Sequence, residues 1–230
     1  MIILTAVSGQ FLGGEMVINE HVISGLLKSS HHLEGQFIFP ITSTSLYEDS
    51  PKFKASDSLG LISIEHAASL RFLIAHAKCN TSAFALFRLQ YEALVKGFWS
   101  LYVANDEQLD LIVGELSNER AERNNKELPS ISKMLIELKN ANSPAQQAVE
   151  MLIQFKDISW KALNSFVHSG VHAVYRSTHG YPDELVFTII RQSNNLMHLA
   201  AYMLAVITGD QRVIENVKQT ARNFKDCFQE

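Results

Sequence analysis

The chain has 230 residues, 47% of them hydrophobic and 19% charged, which is enough apolar side chain to fold around a core without a disulfide or metal staple. With 20 basic and 24 acidic residues the net charge is −4, which excludes a general electrostatic pull on nucleic acid and confines any such contact to a local basic patch. Cys79 and Cys227 are the only cysteines and have no CxxC spacing, the pattern of reduced thiols in a cytoplasmic protein.

The opening stretch MIILTAVSGQFLGG is mildly apolar but has no basic head, so it does not read as a signal peptide. Translation beginning at Met16, or a loosely held strand or tail over the first fifteen residues, fits it. Residues 16–29 suit a short amphipathic helix. Residues 31–56 hold Gly35, Pro40, Pro51 and a Ser/Thr cluster, which predicts a long surface loop, with QFIFPIT as a short strand inside it. Asp57 or Ser58 then caps a helix to about Lys78, and Asn80, Thr81 or Ser82 caps the next, to about Ala104. More polar helices follow from Asp106 to about Asn125 and from Pro129 to about Asn140. Ser143-Pro144 opens a long helix through Val174, with proline at its first position. A loop carries His179, Gly180 and Pro182, Asp183 starts a helix to about Thr208, and Gly209-Asp210 separates it from the last one. No apolar run reaches membrane-spanning length; HLAAYMLAVITG at 198–209 comes nearest.

The expected fold is all-α: an antiparallel bundle of six to eight helices over residues 57–230, preceded by an N-terminal segment, 1–56, of a short helix and a long loop. The low charged fraction suits a large core or a buried subunit interface.

Two helices break their own patterns. The one over 82–102 is apolar around nearly its whole circumference, as a buried helix is, and Arg88 and Glu92 are its charge pair at i,i+4. A buried charge persists only when paired, so the two are either a structural ion pair or part of a polar pocket. On the helix through 163–176, Lys161, Asn164, Ser165, His168, His172 and Arg176 share one stripe, opposite Trp160, Leu163, Val167, Val171 and Val174. That stripe has no acid, and its small polar side chains and imidazoles suit a shared cavity or wet interface better than bulk water. Arg191, Asn194, Asn195, His198 and Tyr202 repeat the device one helix later. If the two stripes meet, polar groups converge.

His168 and His172 at i,i+4 could ligate a metal with Glu92, Glu65 or His76, but nothing in the spacing requires a third ligand and HExxH is absent, so no metal or cofactor is expected. GxSxG, the Walker A pattern and GxGxxG are also absent. Arg-x6-His at 191–198 and Arg-x4-His at 71–76 match a weak pattern for metal-independent RNA cleavage, in which His moves a proton and Arg stabilises phosphate charge.

The stretches IEHAASLRFLIAHAKCNTSAFALFRLQYEALVKGFW (64–99) and WKALNSFVHSG (160–170) resemble an uncharacterised bacterial all-helical family. Its Ala-Leu-x-Arg-x-x-Phe/Tyr-Glu-Ala helix falls on Ala85, Leu86, Arg88, Tyr91, Glu92 and Ala93, and its Asn-Ser-Phe/Tyr-x-His-x-Gly run on Asn164, Ser165, Phe166, His168 and Gly170. More distantly the layout is similar to HEPN-like helical domains. That likeness implies a four-helix core, dimers, and roles in toxin–antitoxin or phage-defence systems, often as ribonucleases with an Arg-x4–6-His motif. Here Lys161, not an arginine, precedes His168.

The function expected from these residues is a non-catalytic dimerising or binding module, in which Arg88, Glu92 and His168 build a polar pocket with Asn164, Ser165 and His172. The alternative is a HEPN-like ribonuclease or toxin, with His168 or His198 as acid/base and Arg88 or Arg191 as phosphate clamp. Partners would be a second copy and either RNA or another protein, with no membrane.

Overall fold

A computed structural model of the protein describes residues 17–115 and 117–229; the Met16 start and the reading of residues 1–15 lie outside them. Among the described residues the fold is all-helical. Helix α1 spans Glu20–Thr42, α2 Pro51–Phe72, and a π-helical turn, Leu73–Ala77, continues α2. Helix α3 (Asn80–Tyr102) follows, then α4 (Asp106–Val113), α5 (Asn118–Glu127) and α6 (Ile131–Asn140). The second half holds α7 (Gln146–Val167), α8 (Val171–His179), α9 (Asp183–Thr208), α10 (Gln211–Asn223) and a 3₁₀ turn, Lys225–Cys227.

Helix α1 corrects the expected loop and strand. Asn19 caps it by accepting the Val22 N–H at 3.1 Å. Ile23, Leu26, Ser30, Leu33, Phe37 and Ile41 recur every three or four residues and are all buried. Pro40 sits in the last turn, where the break it causes coincides with the helix end. Pro51 likewise opens α2 at its first turn, so the cap expected at Asp57 or Ser58 falls at Ser50, seven or eight residues earlier.

Helix α3 is the axis of the bundle. Antiparallel to it, α2 approaches closely: the Ser56 hydroxyl donates to the Gly97 carbonyl at 3.0 Å and the Ser63 hydroxyl to the Gln90 carbonyl at 3.1 Å. A Cβ on Gly60 would lie 2.8 Å from Leu204, so α9 packs against α2 just as tightly. Gln90 joins the third side. Its Nε2 donates to the Ser193 carbonyl at 2.8 Å and its Oε1 accepts from the Ser193 hydroxyl at 2.6 Å. These groups are wholly buried, and pairing them removes the cost of hiding them from water. Across α3, Phe87 and Tyr91 pack on Phe155 of α7, and the Trp99 Nε1–H donates to Glu137 of α6 at 2.7 Å.

Two further expectations change. The polar helix from Asp106 is two helices, divided at Gly114. Pro51–Ala77 has the length and apolarity of a membrane-crossing helix, contrary to the sequence reading, although its inner face is spent on α3 and α9.

Candidate functional site

The Arg88 cluster joins α3 to α7. Arg88 is 8% exposed. One guanidinium nitrogen donates to Asn164 Oδ1 at 2.5 Å, another meets Glu92 Oε1 at 2.5 Å, and the guanidinium carbon lies 3.5 Å from the centre of the Trp160 ring. A planar cation sandwiched between a carboxylate, an amide and an indole face has its charge met on most sides. Neither cleft described below is lined by Arg88, Glu92 or Asn164. The cluster opens onto neither cleft and fixes how α7 lies on α3.

His168 is absent from it. The expected helix through Val174 ends at Val167. His168 is its exposed C-cap, Ser169 has φ of 52°, and Gly170 starts α8. His168 and His172 therefore stand on different helices, both exposed, and the expected i,i+4 pair and the pocket facing Arg88 do not exist. The break has its own logic. The Ser165 hydroxyl accepts the His172 N–H at 2.9 Å and the Ser165 carbonyl accepts the Gly170 N–H at 2.7 Å. Any Cβ at position 170 would lie 2.8 Å from the Ser165 oxygen, so glycine is needed for the approach. Asn-Ser-Phe-x-His-x-Gly thus encodes a helix–helix corner: Asn164 holds Arg88, Ser165 caps α8, Phe166 enters the core and Gly170 clears the way.

Nor does the α9 stripe face the α7 stripe. Asn194 Nδ2 donates to Ser30 at 2.8 Å and to the Cys227 carbonyl at 2.9 Å; Asn195 pairs with the Gln229 main chain. His198 is packed between the rings of Phe37 and Phe228, and burial pushes its pKa down. Arg191 lies over the Phe187 ring, with a buried Nε that has no acceptor. The stripe serves α1 and the C-terminal segment.

A wide cleft lies elsewhere. Helices α1 and α2 lean apart toward the π turn and leave a cleft of about 1480 Å³. Successive turns of α1 line one wall with Glu20, Ser24, Lys28, His31 and Glu34; Ala68, Arg71, His76 and Lys78 line the other. Arg71, only 5% exposed, is ion-paired to Glu34 across the cleft, and its other nitrogen contacts Met197 Sδ at 3.7 Å. Burial lowers the Arg71 pKa and the Glu34 carboxylate opposes that shift. At the far end Lys78, with φ of 53°, pairs with Glu20 at 2.5 Å. The π turn widens the helix where it meets the cleft, and such turns gather at functional sites.

Arg71 and His76 belong to the Arg-x4-His run, but Glu34 already takes the arginine's charge. Glu34 and His31 were missed because residues 31–56 read as loop, and Lys28 because it stood near the end of the short helix expected over 16–29. The signal was present in the stripe of Ile23, Leu26, Leu33, Phe37 and Ile41, which Glu34 borders while His31 and Lys28 lie further round the helix. Among the described residues no group of three His, Cys, Asp or Glu could hold a metal ion. Cys79 and Cys227 are free thiols, the first exposed and the second buried.

No curated protein and no solved structure matches the chain. A family of unknown function, DUF6988, matches it over residues 60–230, a span that includes α3, the Arg88 cluster and the Asn-Ser-Phe-x-His-x-Gly corner. The protein therefore belongs to this family of unknown function.

Proposed function

We propose that the protein is a non-catalytic binding module whose binding surface is the α1–α2 cleft, and that the cleft takes a segment of a partner protein. The observation that carries this reading is the cleft's size and shape. At about 1480 Å³ it exceeds the roughly 300–1,000 Å³ of small-molecule sites. Its α1 wall, from Glu20 to Glu34, runs about 20 Å at 1.5 Å per residue. Two ion pairs span it, which leaves Lys28, Asp183 and the three exposed histidines 21, 31 and 76 in its lining; the lysine and imidazole N–H donors favour a segment with acidic side chains.

A random library of sixteen-residue peptides selected on the purified protein tests this. Selected peptides should be acidic and should lose binding to Ser24→Trp and Ala68→Trp, which obstruct the cleft. If no peptide is selected, or if selected peptides bind both variants unchanged, the reading fails.

Self-association has its own support. Val171, Val174 and Tyr175 lie on one face of α8 and are 82%, 58% and 52% exposed. A second copy covering this face would form the homodimer. Light scattering should give twice the chain mass, and Val171→Asp with Val174→Asp should return the single-chain mass.

The ribonuclease alternative has less behind it. Its proposed groups, Arg88, His168, Arg191 and His198, stand in separate surroundings. Incubation of RNA with the protein and with His168→Ala and His198→Ala should show no cleavage that either substitution removes.

A further inference from the structure

Where the C-terminal segment folds back over α9 it leaves a second depression, of about 440 Å³, lined by His198, Lys218, Ala221, Arg222, Lys225 and Phe228. This surface is preformed. Asn195 Nδ2 donates to the Gln229 carbonyl at 3.0 Å while its Oδ1 accepts the Gln229 N–H at 3.1 Å, and Asn194 holds the Cys227 carbonyl. Phe228, between these two anchored residues, lies 5.5 Å from the His198 ring, whose own position is set by Phe37 on α1. The His198 ring makes no hydrogen bond to another described residue.

The charge around this depression runs against the chain as a whole, whose net charge is −4. Lys218 pairs with Glu215 at 2.7 Å, but Arg222 and Lys225 form no salt bridge among the described residues and both are exposed. The helix dipole accounts for Arg222 in the last turn of α10. It does not account for Lys225 on the following 3₁₀ turn, or for the imidazole that α9 adds to the lining. Beside the cations are apolar faces from Ala221 and Phe228.

We propose that this depression binds a small phosphate-bearing molecule with a flat ring, of nucleoside-monophosphate size. Arg222 and Lys225 take the phosphoryl oxygens, the arginine in its two-pronged geometry. The ring lies against Ala221 and Phe228, and His198 offers a ring nitrogen to a polar group beside the phosphate. The volume falls within the roughly 300–1,000 Å³ of small-molecule sites.

Calorimetric titration of the full chain with AMP, adenosine, inorganic phosphate and a single-stranded oligoadenylate tests the assignment. AMP should bind at least about tenfold more tightly than adenosine or phosphate alone, and more weakly as salt is raised. The double substitution Arg222→Ala, Lys225→Ala removes only exposed side chains, so it should keep the melting temperature and weaken AMP at least about tenfold. Failure of AMP to bind, equal affinity for AMP and phosphate, or binding indifferent to the double substitution overturns the proposal. Binding of the oligonucleotide without binding of AMP also overturns it, in favour of a nucleic-acid strand.

Discussion

Arg88 and Arg71 are both almost wholly buried and both hold a glutamate, yet one lies in the contact between two helices and the other in the wall of a cleft. Arg88 takes its carboxylate from one turn along its own helix and spends its remaining contacts on Asn164 and Trp160 of α7. Arg71 reaches across to Glu34 on α1, with Met197 at its back. The local chemistry is nearly the same. What differs is the neighbouring helix: α7 lies flat on α3, whereas α1 packs on α9 and α10 and stands off α2 at this end. A buried ion pair therefore says little about function until the packing around it is known.

The largest expected effect comes from breaking the Arg88 pair. Arg88→Met leaves Glu92 and Asn164 without their donor and should cost about 3 kcal/mol in denaturant unfolding, with binding at the cleft unchanged once folded. Arg71→Met should cost less, about 1–2 kcal/mol, because Arg71 gives up one ion pair and a weak contact to Met197, whereas Arg88 gives up an ion pair, an amide acceptor and a ring face. Adding Glu34→Gln should recover part of that loss, and a double-mutant cycle measures it. If both arginines cost the same, the contrast between the two regions is wrong.

The α7–α8 corner sharpens the comparison on its Arg88 side. Ser165→Ala and Gly170→Ala should each cost about 1 kcal/mol, the first by removing a cap and the second by crowding Ser165. Melting of the double variant should show less than the sum, since both act on one contact. His168→Ala and His172→Ala should stay within about 0.5 kcal/mol of the parent, as exposed residues do.

A smaller effect reads the packing of α9 against α1 through pH. Burial holds the His198 pKa below its ordinary 6.5, so the unfolded chain takes up a proton that the folded chain refuses. Its contribution is present above pH 6.5 and is lost as pH falls from there toward the folded value. His198→Phe should flatten this acid limb of stability. His66, also lowered by burial, keeps a part of the slope.

The all-helical class was legible because the apolar period is helical almost throughout, and so were the ends of α6 and α9, where cap residues and Gly209 mark them. The Arg88–Glu92 pair was legible from a charge on a helix apolar all round. The first ten residues of helix α1 lay within the short helix expected over 16–29, but its second half was not legible, because Gly35 and Pro40 weighed against a stripe that burial satisfies: a proline in the last turn ends a helix without preventing it. The stop after Val167 was hidden for a different reason. It depends on Ser165 capping the next helix and on Gly170 admitting it, and those contacts exist only once the corner is made. Likewise, which stripe faces which helix depends on the packing, and periodicity along one helix carries no record of its partner.

Parallel measurement of stability and peptide binding in two single variants tests the central claim most directly. Ser24→Trp in the cleft should keep the melting temperature and abolish binding of a selected peptide; Glu92→Gln in the Arg88 cluster should lower the melting temperature and leave peptide affinity intact. Loss of peptide binding in a fully stable Glu92→Gln protein would contradict the account.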